Sequence, residues 1–224
     1  MSNIPTNFVT CDLSLKSSGL CYFRNGKLYS FAIVDSLEKQ TPEDTLINNA
    51  RRIADFVDGC NVESLDGIYI EKFAFNAKSG EKDRLWANCW LARCYIRLRE
   101  IEAPFTEISV SSWRSPLFTK FENDAIKLAL AQFKTCKLKG LKGEERKAMI
   151  QRREALERKA DKKWATVAKL PDDVASKFFV YIKERDLPLE CVFDLTDAYF
   201  IGQYVLSGKQ PVKVKKKRKK VEAN

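Results

Sequence analysis

The chain has 224 residues, 45% of them hydrophobic and 31% charged, which is enough for one sizeable core with appendages and short for two. It contains no histidine, and that absence excludes Ser-His-Asp and Cys-His hydrolases, histidine-metal nucleases and Cys2His2 zinc fingers. Without it, any acid-base or metal chemistry rests on carboxylates, Lys, Tyr or Cys, in a chain whose forty basic against thirty acidic residues leave a net charge of +10.

Period-two apolar runs fill the first third. Asn7–Leu13, Gly19–Arg24 and Lys27–Val34 are predicted strands, and Asn25-Gly26 between the second and third is a strong two-residue hairpin signal. Leu46, Ile47, Ala50, Ile53, Ala54 and Val57 then fall at helical spacing over Thr45–Val57, with Pro42 and two acids ahead of them. Asp66–Glu71 is a short apolar run bounded by turn residues, a buried strand. The spacing predicts a long helix over Lys82–Glu102, stopped by Pro104, whose Trp86, Trp90 and Tyr95 are assigned to the core or to a dimer helix. Thr106–Val110 is a fifth strand, and helical material runs from about Ser112 to Asp186 with breaks near Gly140, Gly143 and Pro171. A last helix, starting at about Leu189 or Val192, closes at Ser207-Gly208 after Leu206. This order predicts an α/β layered domain over residues 1–208.

The charge is concentrated. Residues 134–170 carry 13 basic and 5 acidic side chains and residues 209–224 carry 8 and 1, whereas residues 1–133 carry 16 and 17. A basic arm on a slightly acidic body suits a polyanion held near carboxylates. A salt-bridge-laced helix is the plainer reading of the 134–170 block, but five acids do not neutralise thirteen bases. The tail run Lys215–Lys220 is predicted to be disordered by self-repulsion, and serves as a DNA tether or a nuclear import signal. Seven scattered cysteines with no Cys-x-x-Cys read as free buried thiols in a reducing compartment. The N-terminus lacks the pattern of a signal peptide, and no apolar run approaches the roughly 20 residues of a membrane span, so an intracellular, membrane-free protein is expected.

Four carboxylates interrupt apolar runs. Asp12 ends the first strand, Glu71 ends the fourth, and Asp194 and Asp197 share one face of the last helix at i,i+3. Burial of an unpaired carboxylate is costly, so such placements call for compensation. Taken singly, Asp194 can be a helix N-cap, Asp12 a turn residue and Glu71 a solvent-facing edge residue. Gathered at one site, four acids repel one another, and hard divalent cations with oxygen ligands are the usual remedy.

Val9-Thr-Cys-Asp12-Leu-Ser with the later Gly19, Ile68-Tyr-Ile-Glu71-Lys-Phe-Ala-Phe75, Val110-Ser-Ser-Trp113-Arg114 and Asp194-Leu-Thr-Asp197-Ala198 resemble the ordered motifs of RuvC-type Holliday-junction resolvases. The resemblance spans roughly residues 6–119 and 189–207. It implies a ribonuclease H-like fold with a five-stranded mixed sheet flanked by helices. It further implies two Mg2+ ions, with Mn2+ as a substitute, held by the catalytic residues Asp12, Glu71, Asp194 and Asp197, and a homodimer that nicks four-way DNA symmetrically. The family carries an aromatic three residues beyond the glutamate; here that position is Ala74, flanked by Phe73 and Phe75. Lys72, Lys78, Arg114 and the bases of the 134–170 block, Lys137, Lys139 and Lys142 among them, are candidates for holding phosphates. Phe73, Phe75 or Trp113 are candidates for stacking on unpaired bases, and simple core packing is the other reading of Trp113. The basic helical stretch of about residues 121–170 is an insertion relative to the compact bacterial enzymes.

Three other readings stand beside this one. A ribonuclease H-like ATPase shares an aspartate ending its first strand but needs a glycine-rich phosphate loop that these nine glycines do not form. A non-enzymatic DNA-binding or architectural protein would rest on the basic segments alone. A nuclease with the same metals could instead act on RNA–DNA hybrids, flaps or transposon ends.

Overall fold

The computed structural model describes residues 4–35, 41–60, 65–72 and 79–209. Phe73, Phe75, Lys78 and the basic tail beyond Lys209 lie outside the described residues.

Strands β1 (Phe8–Asp12), β2 (Ser17–Arg24) and β3 (Lys27–Asp35) form an antiparallel meander. Its hairpin turn is Asn25-Gly26, with φ of 51° and 73°, the left-handed values that a two-residue turn needs to match strand twist. Strands β4 (Gly67–Lys72) and β5 (Phe105–Ser109) add in parallel on the other side of β1, giving the order β3-β2-β1-β4-β5. A five-stranded mixed sheet flanked by helices is thus present, as the ribonuclease H-like resemblance implies.

Helix α1 (Pro42–Asp58) begins three residues ahead of its predicted start. Thr41 caps it by accepting from the Asp44 amide at 3.2 Å, and Pro42 takes the first position, where its missing N–H is harmless. Helix α2 (Ser79–Leu98) ends before Glu102 because Glu100 turns to φ 59°. Helix α3 (Val110–Arg114) follows β5 without a linker, and α4 (Lys120–Thr135) opens on a capping box between Thr119 and Glu122. After the breaks at Gly140 and Gly143 come α5 (Gly143–Ala160) and α6 (Lys162–Val167). No glycine or proline separates these two; Asp161 does, its carboxylate accepting from the Lys163 amide at 2.7 Å. Helices α7 (Asp172–Glu184) and α8 (Cys191–Leu206) are the last elements among the described residues. Helices α4 and α5 pack mainly on each other as a hairpin, pinned at its base by ion pairing of Lys169 with Glu122.

The sheet separates two cores. Val9, Cys11, Leu20, Tyr22, Ile68 and Ile70 face Ala50, Ile53 and Val57 of α1 and Cys89, Ala92 and Ile96 of α2. Phe8, Cys21, Phe23, Ile33 and Ile108 face α8 and α7. Every residue of α8 except Asp194, Gln203 and Leu206 is buried, as suits a helix covered on all sides. All seven cysteines are free, five of them buried. Among the described residues, no helix is long and apolar enough to cross a membrane.

Helix α8 lies unusually close to the strands. A Cβ on Gly19 of β2 would sit 2.0 Å from the backbone carbonyl oxygen of Asp194, and one on Gly202 would sit 2.2 Å from the Phe23 ring. The buried Thr10 hydroxyl donates to the Ala198 carbonyl at 2.7 Å and fixes the helix along β1. Backbone cannot retreat as a side chain can, so Gly19→Ala is expected to destabilise the protein by about 3 kcal/mol or more, read as a lowered urea midpoint with an unchanged m-value.

Candidate active site

Alternation along the strands aims two carboxylates at the same face. Asp12 follows Phe8 and Thr10 onto the α8 side of β1, and Glu71 follows Tyr69 onto the α8 side of β4. These strands are parallel neighbours, with Cys11 opposite Ile70, so both acids stand at the carboxyl ends of adjacent interior strands. Asp12 is paired with Gly19 across β1 and β2, and the close approach at Gly19 brings the first turn of α8, with Asp194, over that point. Asp197 lies about one turn further along α8 and is buried.

The four acids share one electrostatic environment. Burial first, and then repulsion from Glu71, Asp197 and Asp194, raise Asp12 well above the usual carboxylate range, with Arg114 opposing. Burial and Asp197 push Glu71 up to about 7, against the pull of Arg114, Trp113 and Lys163. Asp194 rises to about 6 through burial, opposed by Ser17 and Lys163, and Asp197 rises to about 6 through burial, opposed chiefly by Arg114 and Lys163.

Protein donors engage three of the acids. The Ser17 hydroxyl donates to Asp194, the Trp113 indole N–H donates to Glu71 at 3.2 Å, and the Arg114 guanidinium pairs with Asp197. Ser17 itself is held by the Ser14 hydroxyl, which accepts from the Lys16 and Ser17 amides at 3.2 Å each. The Arg114 guanidinium lies over the Trp113 ring, 4.5 Å from its centroid. Lys163 reaches the same region from α6, its ammonium 5.3 Å from the ring of Phe193, the residue before Asp194.

The structure therefore gathers Asp12, Glu71, Asp194, Asp197, Trp113 and Arg114. Of the two readings of Trp113, core packing is the one observed: at 2% exposure, with its N–H given to Glu71, it has no open face for a base. Arg114 is an internal partner of an acid rather than a surface phosphate contact. Lys72 is apart, exposed and 3.7 Å from Glu107. Lys137, Lys139 and Lys142 are exposed in and around the turn between α4 and α5. Trp86 and Trp90 do not enter the core; they are 65% and 54% exposed on α2. Ser17 and Lys163 escape sequence reading: Ser17 is one of several serines before Gly19, and Lys163 is one of thirteen bases in its segment.

As these side chains stand, no group of three or more carboxylates or thiols among the described residues is spaced to cage a metal ion. The donor set itself suits a hard dication. It offers only carboxylate oxygens, crowded against their mutual repulsion, and additional positive charge would relieve each of the upward shifts.

No family model and no curated protein matches the sequence. Among solved structures, that of RuvC from Thermus thermophilus is similar with a TM-score of 0.47 and 9% identity, over 91% of this chain and 96% of that one. The T. thermophilus RuvC in complex with a Holliday junction substrate is similar with a TM-score of 0.44 and 9% identity, over 55% of this chain and 76% of that one. At this level the likeness adds nothing to what the sheet order already shows.

The upward shifts have a consequence for stability. Each acid binds its proton more tightly in the folded than in the unfolded chain, so this contribution is fully present below the ordinary carboxylate range and is lost as pH rises through the folded values. With EDTA present, the stability of the wild type relative to Glu71→Gln is expected to fall from about pH 4.5 to about pH 7 and then level off, measured as urea midpoints across pH.

Proposed function

We propose that the chain is a metal-dependent endonuclease that cuts branched DNA, four-way junctions above all, by paired nicks. The observation that carries this reading is the convergence of four partly or fully buried carboxylates from β1, β4 and α8, with raised proton affinities, in a chain that has no histidine. Asp12, Glu71, Asp194 and Asp197 would hold two Mg2+ ions, for which Mn2+ substitutes. When bound, such ions supply Lewis-acid polarisation of the phosphodiester and lower the pKa of water, chemistry that needs no imidazole. Trp113 fixes the orientation of Glu71, and Ser17 that of Asp194. Lys163, at the margin of the acids, is placed to meet a phosphate that their charge would otherwise repel.

The basic hairpin of α4 and α5 supplies affinity for the DNA backbone away from the acids, which supports a nucleic acid over a small phosphoester as substrate. Paired nicks call for two sites, and we assign the homodimer contact to the exposed Trp86 and Trp90, which share a face of α2 at i,i+4. The free thiols are compatible with the reducing intracellular setting that this substrate requires.

Asp12→Asn is expected to reduce cleavage of a synthetic four-way junction in Mg2+ to the rate without enzyme while leaving junction binding intact, in a gel assay run beside three-way, flap and linear DNA. Wild-type nicking by the variant would sink the assignment, and binding without nicking by the wild type would leave a DNA-binding protein in place of a nuclease. Replacing Lys137, Lys139 and Lys142 together by Ala is expected to weaken binding to all of these DNAs alike. It should flatten the dependence of log K on log salt by up to about 2.7, the value for three lost phosphate contacts.

A further inference from the structure

The acids already have a resident cation. Arg114 projects from α3 into the carboxylate cluster, where its charge lowers the proton affinity of Asp12, Glu71 and Asp197 together. Its pair with Asp197 is poorly exposed, with side chains 24% and 7% accessible. Yet the guanidinium fits this place badly. It presents five N–H donors in a rigid fork suited to two-point binding, but Nη2 alone pairs with Asp197, and Nε is buried without a partner. Buried polar groups are ordinarily satisfied, so an orphaned Nε beside a carboxylate marks a residue drawn in by charge rather than by hydrogen-bond geometry. What holds it there besides Asp197 is the Trp113 ring, over which it lies 4.5 Å from the centroid, a cation–π contact.

Resting on the metal-dependent reading of the same site, we propose that Arg114 is the counter-cation of the metal-free cluster, and that a divalent ion and the Arg114–Asp197 pair are mutually exclusive. Asp197 is held by Arg114, so an ion that uses this carboxylate competes with the guanidinium for it. A dication arriving at the same acids takes Asp197 and repels the guanidinium, whose release completes the exchange. The coupling is reciprocal: whatever holds Arg114 on Asp197 weakens metal binding by the same factor that the metal weakens the pair. This exchange keeps one positive charge among the acids when no metal is present and frees a guanidinium, the group best shaped for a phosphate, at the moment the ions are in place.

The test is Mn2+ binding to the full chain, followed by electron paramagnetic resonance at fixed pH and ionic strength. Arg114→Gln is expected to bind the first Mn2+ about tenfold more tightly than the wild type, whereas a residue that merely supports the site would lose affinity on substitution. Equal or weaker affinity in the variant overturns the exchange but leaves the metal-dependent nuclease standing; absence of Mn2+ binding to both chains overturns the two together. A second measurement needs no variant. Modification of Arg114 by phenylglyoxal in the wild type, read by peptide mass spectrometry, is expected to increase severalfold on adding Mg2+, and unchanged or deeper protection overturns the proposal.

Discussion

The site depends on one steric allowance, the absence of a side chain at Gly19. The backbone of α8 comes so near β2 at that residue that a single Cβ would overlap the Asp194 carbonyl. Because Gly19 is paired with Asp12, this is also the point where the last helix and the first strand share an edge. Thr10 then locks the helix lengthwise, and Gly202 lets the Phe23 ring press against its far end. Residues almost the whole chain apart become neighbours through contacts that no longer side chain would permit, and the carboxylates they carry are brought together as a result.

That convergence runs against stability. Acids that repel one another and lose water on burial favour their protonated forms, and the protein answers with a set of local donors: Ser17 for Asp194, Trp113 for Glu71 and Arg114 for Asp197. Conflict of this kind, where local charge opposes the fold that holds it, is common at functional sites and occurs in structural ion-pair networks as well. The short helix α3 is economical in this respect, since two adjacent residues on it address two different acids from two different elements. The net charge of +10 conceals this arrangement, because the positive charge sits largely on the α4–α5 hairpin and the tail while the strand ends beneath α8 are acidic.

Local pattern was informative where the determinants are local. Period-two alternation located the first three strands and a short apolar run the fourth, and Asn25-Gly26 located the turn with both left-handed residues in place. Boundaries set by single residues were harder: the φ of Glu100 that ends α2 and the carboxylate of Asp161 that separates α5 from α6 carry no glycine or proline signal. The four acids stood out because each breaks an apolar run. Trp113 did not declare itself, since an indole with one polar edge suits a core and a base-stacking surface equally well. Lys163 was invisible among its neighbours, for its role depends on which way α6 turns after Asp161.

By itself, then, the sequence determined the elements, the position of an acid that interrupts the apolar run of each critical one, and, through the absence of histidine, a chemistry without imidazole. These properties follow from backbone periodicity and side-chain type, which are written within a few residues of each other. Only the tertiary structure decided that the acids meet, that Arg114 points inward onto Asp197 while Lys72 stays at the surface, and that Trp113 serves Glu71. Those outcomes depend on where α8 crosses the sheet and how α3 leaves β5. Such long-range contacts are fixed by packing at Gly19 and Thr10, and no local pattern in the chain records them.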